Sequence, residues 1–277
     1  MTPTGVTRAS SRSSRAPSAE GPVQHLNLLK RVSVTVPPAR AEQARAVMLE
    51  LFPTGFEELD SGGALELAAY TNAAGEERIW QAFGGAATRP VEEGWEERWR
   101  QFHRPVRVGN LWIGPPWEEP EPDALAVVID PGRAFGTGGH PTTRLCLELL
   151  EREERVSLLD VGCGSGVLAI AAKKLGFDPV IAFDFDPQAV EATGRNAAVN
   201  GVQLDVRLAD LRDALPRTEL AVANIAEEAV LALGARLGAR RVITSGYLVS
   251  DEPPLPSFRR ERRVQEAGWA ADLHVRH

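Results

Sequence analysis

The chain has 277 residues, 43% hydrophobic and 25% charged, a globular balance that supplies a core for one large domain or two modest ones. No apolar run nears the ~18 residues that cross a bilayer, and Cys146 and Cys163 have neither disulfide-framework nor zinc or redox spacing, so a reduced, cytoplasmic setting is expected. His25, His103, His140, His274 and His277 form no i, i+4 pair or carboxylate cluster, so no metal site is expected, and a net charge of −7 disfavours stable nucleic-acid binding and suits a basic partner.

Residues 1–27 are rich in Ser, Pro and Arg and poor in acids. That composition is shared by transit peptides, but no apolar face develops, and a disordered tail is the preferred reading. From residue 28 the pattern becomes regular. Lys30–Val36 alternates β-branched residues as a half-buried strand, and Ala39–Leu51 has helical spacing. Phe56–Asp60 and Ala64–Tyr70 flank Ser61-Gly62-Gly63, a hairpin signal. Glu76–Phe83 reads as a second helix and Ala87–Glu92 as a last strand. The order βαββαβ predicts a small ferredoxin-like α+β domain over 28–92. It holds no catalytic constellation, so recognition or support is its expected task.

Trp95, Trp99 and Phe102 fall on one face of a helical stretch. They are read as packing within a connector over 93–123, which ends in an extended lead, Leu111–Trp117. From 124 to 277 strands and helices alternate. Strands are predicted at Leu125–Asp130, Ser157–Val161, Val180–Asp184, Gln203–Leu208, Leu220–Asn224 and Arg241–Ser245. Helices are predicted at Thr142–Leu150, Val167–Leu175, Pro187–Asn200 and Glu227–Leu237. Phe258–Gln265 and Trp269–Val275 pair as a C-terminal antiparallel hairpin. This is an α/β, Rossmann-like pattern: a mostly parallel sheet covered on both faces.

The chemistry concentrates at the end of the strand Ser157–Val161 and in the loop that follows, in Asp160-Val161-Gly162-Cys163-Gly164-Ser165-Gly166. Ligands of such sheets bind beyond the carboxyl ends of the strands, and glycines let a ligand approach the backbone. A dinucleotide loop has G-x-G-x-x-G spacing and holds a pyrophosphate at a helix N-terminus. Here the spacing is one residue shorter, and Asp160 would repel phosphate. A ligand with an amino group and a sulfonium suits it better. S-adenosylmethionine carries both and has no phosphates. One strand later, Asp184 is placed to accept hydrogen bonds from ribose hydroxyls, and Asp186 before Pro187 to cap a helix. Asp210, after the third strand, is assigned the adenine amine, with a turn role as the alternative.

The string Phe135-Gly136-Thr137-Gly138-Gly139-His140-Pro141-Thr142-Thr143, followed by that glycine loop, resembles the ribosomal-protein L-eleven methyltransferase family. The resemblance covers about residues 28 to 277. It implies a class I methyltransferase domain preceded by a ferredoxin-like recognition domain. The implied reaction is S-adenosylmethionine-dependent N-methylation of amino groups, lysine or N-terminal, on a basic protein of the large ribosomal subunit. Cofactor contacts carried over by the resemblance fall on Thr143, Gly162, Asp184 and Asn224. Asp160, Gly164, Gly166 and Asp210 complete the expected set.

Asn224 is also the expected catalytic residue, accepting N–H bonds from the incoming amine. Amino-group methyltransferases often follow this position with two prolines and an aromatic. Ile225-Ala226-Glu227 stands here, a departure that leaves the acceptor open. His140 is weighed equally as a base and as a structural hydrogen-bonder. Arg259, Arg260, Arg262 and Arg263 are read as a solvated strand face rather than an RNA contact. A monomer is expected. The competing readings are a methyltransferase of another protein, a cofactor-binding module without turnover, and a dehydrogenase.

Overall fold

The computed structural model describes residues 30–52, 56–60, 63–90, 104–130, 138–234 and 236–277. The expected tail, the Trp95–Trp99–Phe102 stripe, the turn residues Ser61 and Gly62, and Phe135-Gly136-Thr137 lie outside these residues.

The first unit runs β1 (Lys30–Val36), α1 (Ala41–Leu51), β2 (Glu57–Asp60), β3 (Leu65–Thr71), α2 (Ala73–Phe83) and β4 (Ala87–Pro90). Its strands pair antiparallel in the order β2-β3-β1-β4, the ferredoxin-like arrangement that the βαββαβ reading predicts. Alternation decides which face is buried. Val32, Val34 and Val36 of β1, with Leu67 and Ala69 of β3, pack in one cluster with Ala44 and Met48 of α1 and Ile79 of α2.

A three-stranded sheet follows: β5 (Val106–Val108) pairs antiparallel with β6 (Leu111–Gly114), which pairs parallel with β7 (Leu125–Val128). Sequence reading missed β5, whose three residues are too few to show a period. Val108, Leu111, Ile113 and Val127 belong to the same buried cluster as the large sheet, so this stretch is part of that core.

The large unit continues with α3 (Pro141–Glu151), β8 (Leu158–Val161), α4 (Val167–Leu175), β9 (Val180–Asp184), α5 (Pro187–Val199), β10 (Asp205–Leu208), β11 (Leu220–Asn224), α6 (Glu227–Leu233), β12 (Arg241–Leu248), β13 (Phe258–Glu266) and β14 (Trp269–Arg276). The strand order is β10-β9-β8-β11-β12-β14-β13. The first five strands are parallel, and β14 runs antiparallel between β12 and β13. The order reverses between β8 and β11, which places the site there. All four residues of β8 and the first four of β11 are buried, as strands covered on both faces must be.

Two elements differ from expectation at glycines. The helix expected to reach Leu237 stops at Leu233, before Gly234. β12 overruns its expected end at Ser245 because the register shifts at Gly246 and pairing resumes at Tyr247. Gly246, at φ +108°, absorbs the bulge. The Arg259–Arg263 cluster is largely paired: Arg260 with Glu252, Arg259 with Glu261, and Arg263 with the buried Asp272.

Candidate functional site at the switch point

The glycine loop leaves β8 in a turn that no other residue type makes cheaply. Gly162, Gly164 and Gly166 all have positive φ, at +71°, +55° and +83°. The Gly162 and Cys163 amides both donate to the Phe183 carbonyl of β9, at 2.9 and 3.0 Å. The Gly164 amide donates to Asp184 Oδ2 at 3.0 Å. The other Asp184 oxygen accepts the Asp186 amide at 3.0 Å. Asp184 therefore stands at the strand end as expected, clasped to the loop, with lone pairs remaining on both oxygens. Asp186 caps α5 through the Gln188 amide at 2.8 Å, with Pro187 at the first helical position, as read from sequence.

Asp160 is 1% exposed. Its Oδ2 accepts the Ala169 amide of α4 at 3.0 Å, while its Oδ1 has no partner. Burial pushes this carboxyl up to about 7; the Ala169 bond opposes the shift and Asp184 adds to it.

The structure brings Thr143 and Asn224 together across 81 positions of sequence. Asn224 ends β11, and its Nδ2 donates to Thr143 Oγ1 at 3.3 Å. Thr143 is fully buried in the first turn of α3. The α3 N-cap is His140, whose Nδ1 contacts the Thr142 hydroxyl at 2.7 Å and accepts the Thr142 amide. Its ring meets Trp269 edge-on, with centroids 4.9 Å apart. Burial, with Arg144 nearby, lowers the imidazole to about 4. Of its two sequence readings, the structural one is what the structure shows.

Behind Asn224 the backbone is tightly packed. The Ile225 amide donates to the Ser245 carbonyl. A Cβ on Gly246 would lie 2.1 Å from the Ile225 carbonyl oxygen, and one on Gly162 would lie 2.6 Å from Ile225 Cγ2.

Asp210 forms the turn contact, one of the two roles weighed for it. Its carboxylate accepts the Arg212 amide, Nε and Nη2, each at 2.9 Å, and its own amide bonds Asp213. Arg212 holds its carboxyl down at about 2. This is the turn role, formed over two residues. Asp210→Ala is expected to change cofactor affinity less than threefold by calorimetry. A loss of tenfold or more would restore the adenine contact.

Sequence reading missed a polar stripe on α5. Thr193 Oγ1 donates to the Gly164 carbonyl at 3.0 Å, and Asn196 Nδ2 to the Ser165 carbonyl at 2.9 Å. Asn196 also accepts the Asp130 amide, and Asn200 bonds both polar groups of the Val128 backbone. The spacing 193, 196, 200 puts all three on one helical face, shared with buried Ala189, Ala192 and Ala197. Polar side chains on an apolar face need partners, which was the available signal.

Among the described residues, no group of three or more His, Cys, Asp or Glu could hold a metal ion, and no helix is long and apolar enough to cross a membrane. The donor set fits S-adenosylmethionine in chemistry: two buried carboxylates, one with an unpartnered oxygen, flank a glycine cradle. A phosphate would be repelled there, whereas a cation and a diol suit it.

The profile described as "Ribosomal protein L11 methyltransferase (PrmA)" matches residues 57–251. The chain belongs to this family. It is 42% identical over 199 residues to the ribosomal protein L11 methyltransferase of Cupriavidus pinatubonensis, covering 68% of this chain and 65% of that one. To the protein of the same name from Geobacter sulfurreducens it is 46% identical over 180 residues, 61% of this chain and 59% of the other. The match thus spans less than two thirds of these relatives' length, 65% and 59%. A solved ribosomal protein L11 methylase from Lactobacillus delbrueckii subsp. bulgaricus superposes with a TM-score of 0.58 and 32% identity. That likeness covers 63% of this chain and 99% of that structure. The large unit accordingly has the Rossmann-like class I methyltransferase fold, with which the glycine loop and strand order agree.

Proposed function

We propose that the chain is an S-adenosylmethionine-dependent methyltransferase that modifies amino groups, lysine or N-terminal, of ribosomal protein L11. Membership of the family supports the protein substrate. The observation that carries the amine is Asn224 at the switch point: its Nδ2 is engaged by Thr143, which leaves Oδ1 to accept an N–H from an incoming nitrogen.

In this reading Asp160, Gly162, Gly164 and Gly166 frame the amino-acid end of the cofactor, Asp184 holds the ribose, and Thr143 and Asn224 line the side toward the acceptor. The bound cofactor supplies an electrophilic sulfonium methyl. The protein's task is positioning, since a good leaving group leaves little else to do. Asn224 orients the nitrogen lone pair. His140 is no base for this purpose: its Nδ1 is occupied by Thr142, and a group near 4 accepts a proton poorly from an amine whose reference pKa is ~10.4. The amine sheds its proton to solvent on entering the desolvated site.

Residues 28–92 act as the recognition domain, and the catalytic domain extends back from 124–277 to include β5 and β6, whose residues join its core. The protein works as a cytoplasmic monomer without stable nucleic-acid contact. The internal pairing of the arginine cluster supports the last point. The test is transfer of labelled methyl groups to purified L11 by wild type and Asn224→Ala. Wild type labels L11, and the variant slows roughly thirtyfold to a hundredfold, in the range for losing one positioning group. Binding of cofactor without any label transfer by wild type would leave a cofactor-binding module instead.

A further inference from the structure

A buried acid at the end of β8, just before the glycine loop, has one oxygen without a partner among the described residues. We propose that Asp160 is a ligand-linked proton site: its carboxyl is protonated in the ligand-free protein and releases that proton to solvent when a cationic ligand occupies the loop.

The geometry carries this. A carboxylate that is 1% exposed needs several donors or a counter-ion to stay charged. Asp160 has one backbone N–H, from Ala169, and its Oδ1 has no partner. Among the described residues, the groups facing it supply no positive charge. β9 contributes Asp184, a second acid whose oxygens already hold the Gly164 and Asp186 amides. The loop contributes Cys163 and α3 contributes Cys146, both thiols pushed up by burial. β11 and β12 present the uncharged Asn224 and Ser245 on the same side of the sheet. The cations of the adjoining helices are placed elsewhere. Arg144 of α3 is paired with Glu266, and Lys173 and Lys174 sit in the last turn of α4. With one donor and a buried, unpartnered oxygen, Asp160 keeps the proton. Its elevated value, about 7, agrees.

A cation entering the loop reverses the balance, because it favours the ionised form and displaces the proton. The sign follows from linkage: the ligand-free group sits high and the occupied group low, so binding tightens as pH rises toward 7 and levels off above it. This inference rests on the cofactor reading above and deepens it.

The test is calorimetry of the full chain with S-adenosylmethionine between pH 6 and 7, in buffers of differing ionisation enthalpy. The expected result is release of close to one proton per ligand at pH 6, with affinity about fivefold weaker at pH 6 than at pH 7. In Asp160→Asn the release vanishes and affinity becomes flat with pH. S-adenosylhomocysteine, which keeps the ammonium and lacks the sulfonium, identifies the responsible charge. Release with both ligands assigns the ammonium, and release with S-adenosylmethionine alone assigns the sulfonium. Should the variant fail to fold, infrared difference spectroscopy of wild type reads the same event as loss of the protonated-carboxyl band on binding. Binding with no proton release, or release unchanged in Asp160→Asn, overturns the proton site and leaves the cofactor reading standing. Absence of binding removes both.

Discussion

Replacing Asp184 with alanine is expected to weaken S-adenosylmethionine binding about a hundredfold to ten-thousandfold, measured by calorimetry. Two losses combine. The carboxylate accepts the Gly164 and Asp186 amides, and the Gly164 bond is buried, so its removal strands a donor at a cost of about 1–3 kcal/mol. Part of that cost appears as a loop no longer held for the ligand. The charged hydrogen bonds proposed to the ribose are lost as well, each worth about 1.5–3 kcal/mol. Asp184→Asn separates the contributions. One amide oxygen still accepts a backbone N–H, so the loop is partly restored while the charge is gone. If Asp184→Ala bound the cofactor as tightly as wild type, the ribose assignment would be wrong and the loop would be held by its other bonds.

The second large effect is expected at Gly246. A methyl group there would stand 2.1 Å from the Ile225 carbonyl oxygen, a backbone atom that moves only if the chain moves. The residue also adopts φ +108°, which L side chains rarely do. Clash and strain together predict about 2–5 kcal/mol of lost stability for Gly246→Ala, read from the denaturant midpoint. The displaced carbonyl adjoins Asn224, so methyl transfer should fall about a hundredfold, as expected for a reacting group misplaced by roughly 1 Å. Cofactor affinity should fall less than transfer. A variant with wild-type stability and transfer would show that the bulge tolerates a side chain and does not hold the acceptor side.

Much of the architecture was legible because its signals are periodic. The three valines of β1 alternate, β8 carries Leu158, Leu159 and Val161 around a single acid, and the glycine loop marks where a buried strand turns into a helix. Asp186-Pro187 announced its own helix start. What escaped depends on distance through space. β5 is three residues long and gains its identity only by pairing with β6. Gly246 reads as a strand end, yet a bulge lets β12 continue against β14. In the site, the residue types of Thr143 and Asn224 were visible, but their contact joins α3 to β11 and needed the fold. Asp210 is held by a local contact. Arg212, two residues on, competes for it locally, and a short-range ion pair is invisible to reasoning about strand ends. The isolation of Asp160 is a property of burial, which no local pattern reports.

All of this depends on the loop after β8 accepting a phosphate-free, cationic nucleoside. Titration calorimetry of the purified chain with S-adenosylmethionine and with S-adenosylhomocysteine tests that directly. The account predicts saturable binding of both, one ligand per chain, with NAD producing no heat. Silence toward both ligands, or preferential binding of NAD, would contradict it.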